Sequence, residues 1–210
     1  MIFAVQMLCC CTKADGAVAD GGLPLKWTAS PSDEEIVIRL KSPEDLKRLD
    51  LDLTDPKCVI LASCNGAAAE WNRQNAKQVL PFDRIVKING KACEAQDIVS
   101  MLKDTGAVEL SLERPLKRMV YLKKEGSRLG LDLSFTKVGT GQWKASVKPW
   151  IAAIADGLVA EWNANMPELA IGQHDRIISI NSKNGPPDEL VSVLGTASEA
   201  IELEVLHYNF

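Results

Sequence analysis

The chain has 210 residues, enough for one large domain or two small ones of roughly 90–100 residues each. A hydrophobic fraction of 46% and a charged fraction of 25% are those of a globular protein and exclude wholesale disorder or a collagen-like repeat. With a net charge of −4 and no long basic stripe, the chain lacks the electrostatic footprint of a nucleic-acid binder.

The first residues, MIFAVQMLCCC, are apolar over a stretch too short to span a bilayer, and they lack the basic start and cleavage pattern of a secretory signal. Cys9, Cys10 and Cys11 beside that apolar run suit reversible S-acylation, which would attach the protein peripherally to a membrane. The alternative is a plain leader. Residues 1–33, with their DG and DGG dipeptides, Pro24 and Pro31, read as that flexible leader.

EEIVIRL (Glu34–Leu40) then alternates as a strand, SPED turns the chain, and LDLDL (Leu49–Leu53) alternates again. Thr54–Lys57 is a turn signal and CVILASC (Cys58–Cys64) a short buried strand. A short helix begins near Gly66 with AAAEW, which is good in Ala and Glu propensity. RIVKI (Arg84–Ile88) is a strand running into the Asn89-Gly90 turn. Ala95–Gly106 is an amphipathic helix stopped by its glycine, and AVELSLER (Ala107–Arg114) is a strand.

The second half follows the same order. RMVYLKK (Arg118–Lys124) and LGLDLSF (Leu129–Phe135) read as strands, Gly139–Gly141 as a turn, and QWKASVK (Gln142–Lys148) as the returning strand. The helix of GLVAEWN, the strand RIISI, a helix at Glu189–Leu194 entered through Pro186 and Pro187, and the strand AIELEVL complete it. GAAAEWN at Gly66–Asn72 matches GLVAEWN at Gly157–Asn163, and DRIVKING matches DRIISINS. The chain is a duplication: residues 34–115, then 116–208, with a two-residue tail at 209–210. The expected class is mostly β with short helices (α+β).

A unit of this size, with a short helix before D-R-I-x-x-I-N and a longer helix before its last strand, resembles the PDZ domain. The PDZ pattern G-D-x-I-x-x-V-N-G stands here as FDRIVKING and HDRIISINS, with Phe82 and His174 in place of the first glycine and Ser182 in place of the last. The carboxylate-binding loop, usually G-Φ-G-Φ, stands as Arg128-Leu129-Gly130-Leu131 in the second copy and as Arg48-Leu49-Asp50-Leu51 in the first, a departure. The resemblance implies two partly open β-barrels or sandwiches that bind a partner's extended C-terminus by strand addition beside the second strand.

It further implies a carboxylate-binding loop in which backbone N–H groups of Leu129, Gly130 and Leu131 hold the terminal carboxylate, and Arg128 with nearby Lys123 and Lys124 favours the anion. Leu133, Val191 and Leu194 then line the groove. Weaker counterparts in the first copy are Leu49, Asp50, Leu51, Val99 and Leu102, where the Asp50 carboxylate opposes a ligand carboxylate. Ala95 and Pro187 start the longer helices, where the family often carries a His for a ligand Ser or Thr, so ligands with apolar terminal residues are expected. The chain's own apolar end, Tyr208-Asn209-Phe210, raises self-association through Phe210 as a further possibility.

Cys58, Cys64 and Cys93 have no counterparts in the second copy, so free thiols and a reducing, cytoplasmic compartment are expected. No C-x-x-C pair is present and His174 and His207 stand apart from any cysteine cluster, so neither a metal nor another cofactor is expected. Hydrolase, metalloprotease and P-loop motifs are missing from the sequence, and no enzyme activity is expected. Two readings survive. One is an adaptor that binds peptides mainly through its second copy; the other is an assembly protein made of degenerate PDZ-like units.

Overall fold

The computed structural model describes residues 35–101, 106–124, 126–137, 145–197 and 199–210. Cys9–Cys11, Leu102 and the Gly139–Gly141 turn lie outside them. The first copy contains β1 (Ile36–Leu40), α1 (Pro43–Lys47), β2 (Asp50–Asp52), β3 (Ile60–Ser63), α2 (Ala67–Gln74), β4 (Arg84–Ile88), β5 (Lys91–Ala92), α3 (Ala95–Met101) and β6 (Val108–Glu113). The second contains β7 (Leu116–Lys123), β8 (Leu131–Ser134), β9 (Trp150–Ile154), α4 (Leu158–Asn165), β10 (Arg176–Ile180), β11 (Lys183–Asn184), α5 (Pro187–Thr196) and β12 (Ala200–His207). A single 3₁₀ turn, Pro167–Leu169, follows α4.

Each copy folds into an antiparallel sheet. The strand order is β1-β6-β4-β3-β2 in one and β7-β12-β10-β9-β8 in the other, with the short β5 and β11 hung on β4 and β10. The sheets are open, not closed barrels, so β2 and β8 end as edges. Alternation explains the cores. Ile36, Ile38 and Leu40 of β1 turn inward against Leu110 and Leu112 of β6, while their neighbours stay exposed. The second copy repeats this with Val120 and Leu122 against Leu203 and Val205.

Two expected elements differ. SPED is the start of helix α1, not a plain turn: Pro43 sits at the first helical position with Glu44 and Asp45 behind it, the composition a helix start favours. The strand that returns to β8 is WIAAI, and Ala145–Lys148, the described part of QWKASVK, are not in a strand. Ser146–Lys148 are irregular because they pack on the first copy: the Val147 N–H donates to Asp52 Oδ2 at 3.0 Å and Ser146 Oγ to Thr54 Oγ1 at 2.8 Å. Tertiary docking here overrides a local alternating pattern.

A third core joins the copies. Cys58 and Ile60 of the first copy are buried with Leu206 and Tyr208 of the second, and Phe82, Val147 and Ile178 pack around them. The two copies accordingly form one compact unit. Among the described residues no helix is long and apolar enough to cross a membrane.

Candidate functional site

In the second copy the loop Arg128–Gly130 leads into β8 at the open edge of its sheet. Gly130 takes φ +74°, and a Cβ there would stand 2.4 Å from the Ala155 carbonyl oxygen. Only glycine fits this turn without strain. The loop is anchored from behind. Leu158 N–H donates to Arg128 O (3.1 Å), Val159 N–H to Leu129 O (3.1 Å) and Ala155 N–H to Gly130 O (2.8 Å), so the carbonyls face the start of α4. The N–H groups of Leu129 and Gly130 take part in no hydrogen bond among the described residues. The result is a tethered loop with two backbone donors unused.

Between β8 and α5 lies a groove of about 580 Å³. The structure brings Arg128, Leu129, Gly130, Leu131, Leu133, Val191 and Leu194 together along it. Lys124, Asp132 and Gly195 also line it, and Lys124 Nζ donates to Ala197 O at 2.9 Å. Asp132 and Gly195 escape a sequence reading that looks only for apolar side chains, although the alternation of β8 and the helical spacing of α5 place both at the rim. The helix starts at Pro187, which has no N–H and no polar side chain to offer a ligand hydroxyl.

The first copy arranges the same positions differently. Helix α1 stands directly ahead of the first copy's loop, and Leu46 and Leu49 join the core. The Leu49 N–H is spent on Leu46 O at 3.1 Å. Asp50 Oδ2 accepts from Ser63 Oγ at 2.6 Å and holds a carboxylate at the mouth of the loop. Leu51 packs against the core and Val99 is half-buried on α3.

The seam between the copies holds several buried polar groups, Asp52, Asp55, Ser146 and Arg176 among them. Arg176, fully buried, donates through Nη1 to Asp52 Oδ2 (2.9 Å) and to Lys148 O (3.1 Å). His174 Nδ1 lies 3.0 Å from Asp55. Tyr208 OH donates to Phe82 O (3.1 Å), and Asn209 Nδ2 to Glu113 Oε1 (3.0 Å). Phe210 lies under the Arg84 guanidinium, 3.6 Å from ring centre to Cζ, with the His174 ring 4.8 Å away. Thus the tail that could have served as a ligand is engaged within its own chain.

Phe82 and His174, the replacements for glycine, both keep φ +72°. A non-glycine residue pays for that conformation, and both are held there by contacts across the seam. Asp83 and Asp175 fix the turns that lead into β4 and β10, accepting from Leu80 N–H (2.8 Å) and Gly172 N–H (2.7 Å). Burial pushes the Asp83 carboxyl up, opposed by the Arg114 fork at 3.0 and 3.2 Å. Burial also raises the Tyr208 phenol well above its ordinary value and lowers the Lys148 ammonium. Trp71 and Trp162 pack on the cores of their own copies, away from the seam.

Strand order, the short helix ahead of D-R-I and the longer helix ahead of the last strand recur in both copies. The two copies share one fold. No family model matches the chain, and no curated protein matches it. Solved structures do. INAD PDZ45 in complex with NG2 peptide is 20% identical over 90% of this chain and 98% of that one, at a TM-score of 0.37. INAD PDZ45 with NORPA CC-PBM is 19% identical over 86% and 95%, also at 0.37.

Proposed function

We propose that this protein is a non-catalytic adaptor whose two PDZ-like modules, residues 34–115 and 116–208, are held as one body, and that the second takes the extended C-terminus of a partner. The observation that carries the reading is the coincidence, at one open sheet edge, of three things. These are the unpaired side of β8, the unused N–H groups of Leu129 and Gly130, and the apolar groove against α5. A partner strand pairs with β8, its carboxylate meets the loop, and its last side chain enters between Leu129, Leu131 and Leu194. Arg128 and Lys124 add favourable charge for that carboxylate. Pro187 leaves apolar contact as the basis of selection further along the ligand.

The seam favours a second reading for the first module. Its β2 is committed to the partner module through Asp52, and its loop amide is consumed by α1, so it serves to orient its neighbour. A cytoplasmic setting agrees with free Cys58, Cys64 and Cys93, and acylation at Cys9–Cys11 would add peripheral membrane attachment. A fluorescence-polarisation screen of the full chain against C-terminal peptides, each as free acid and as amide, tests the adaptor reading. Binding that amidation abolishes supports it, and equal failure of both forms rejects it.

A further inference from the structure

The duplication supplies an internal comparison at a second place, between the first strand of each copy and its short helix. In the first copy a crevice of about 240 Å³ is lined by Ala67, Glu70, Trp71 and Gln74, spaced i, i+3, i+4 and i+7 on α2, with Arg39 of β1 opposite. The second copy has the equivalent crevice, about 380 Å³, lined by Leu158, Glu161, Trp162 and Asn165 of α4 with Tyr121 of β7 opposite. The strand registers align the two: Arg39 pairs with Glu109 as Tyr121 pairs with Glu202.

What differs is the cation. In the first crevice the Arg48 guanidinium binds Glu70 and also reaches Asp45 at 3.3 Å, and Arg39 is drawn off to Glu109 at 2.9 Å. In the second, Arg128 turns the other way, donates through Nε to Asp156 O at 2.8 Å and lines the peptide groove. Glu161 is therefore left with no ion pair among the described residues, and Tyr121, 53% exposed, stands where the first copy has an arginine. Lys123 lies at the rim, as Lys41 does in the first crevice, where it coexists with the Arg48 guanidinium.

We propose that the Tyr121–Glu161–Trp162 crevice is a second binding site, which takes an arginine side chain presented by a partner polypeptide. The guanidinium pairs with the Glu161 carboxylate through its fork and stacks on the flanking aromatic faces, as its planar, weakly hydrated charge favours. The crevice shares no lining residue with the groove beside β8, so it can be filled independently of it.

The test is an NMR titration of the ¹⁵N-labelled full chain with the capped peptide acetyl-Gly-Gly-Arg-Gly-Gly-amide, which has no free carboxylate for the groove. Its citrulline analogue, with a neutral urea of the same shape, is the control. Saturable shifts at the Trp162 indole and the Tyr121 and Glu161 amides are expected, with at least fivefold weaker binding for citrulline and for the E161Q variant. E161Q should bind a groove peptide as the unaltered chain does, which shows that it is folded. Absence of shifts with the arginine peptide, or shifts that E161Q and citrulline leave unchanged, overturns the proposal.

Discussion

Gly130 carries the difference between the two loops. Its φ of +74° and the 2.4 Å approach to Ala155 O leave no room for a side chain. Gly130→Ala should therefore lower stability by about 1–3 kcal/mol and weaken peptide binding at least tenfold, read by thermal melting and polarisation. The reciprocal Asp50→Gly in the first copy should gain no binding, because the Leu49 N–H still serves Leu46 O. The buried thiols make a separate prediction. Burial pushes Cys58 and Cys93 up to about 12 and Cys64 up to about 11. An unfolded thiol titrates near ~8.5, so above that pH the unfolded chain loses protons that the folded one keeps. The stability these groups contribute is complete below about pH 8.5 and is lost as pH rises toward the folded values. Tyr208 acts in the same direction above about pH 10, and Lys148, with its lowered value, opposes. Urea unfolding from pH 7.5 to 10 should thus show a shallower fall for Cys58→Ala than for the unaltered chain, whatever the cavity itself costs. An equal fall in both would contradict the assignment.

At the scale of elements, most strands and helices were readable because alternation and the 3.6-residue period are local signals. The elements that were misread are those shaped from elsewhere. Helix α1 is short and is fixed by Leu46 reaching the core, while Ser146–Lys148 lose their strand to Asp52 and Thr54 of the other copy. The groove was readable from Arg128–Leu131 and from the apolar face of α5, yet its rim residues Asp132 and Gly195 were not, since neither is apolar. The end of β12 offers a test. Tyr208→Phe removes one hydrogen bond to Phe82 O from a buried side chain and should destabilise the chain by about 1 kcal/mol in urea unfolding. Its effect on peptide affinity should be negligible, because the groove lies on other elements.

For the whole molecule the seam is what joins the two copies. No periodic pattern could announce it, since Asp52 and Arg176 stand 124 residues apart in the chain. Its one trace in the sequence is the pair of positions, Phe82 and His174, where a glycine was expected and a larger residue holds a left-handed backbone. Arg176→Ala strands the buried Asp52 carboxylate and should cost about 3–5 kcal/mol. The double change Arg176→Met with Asp52→Leu removes both charges and should recover most of that loss. If the pair sets orientation, the double variant should still scatter X-rays as a less compact particle than the unaltered chain; an unchanged profile would mean that the apolar seam alone fixes the pair.

The division of labour between the copies is the central claim, and an NMR titration of the full chain with a free-acid peptide chosen by the polarisation screen tests it most directly. Shifts should gather at Leu129–Leu133, Val191 and Leu194, while Leu49–Leu51 and Val99 stay still. Shifts that gather at Leu49–Leu51, or that leave β8 and α5 untouched, would contradict the account.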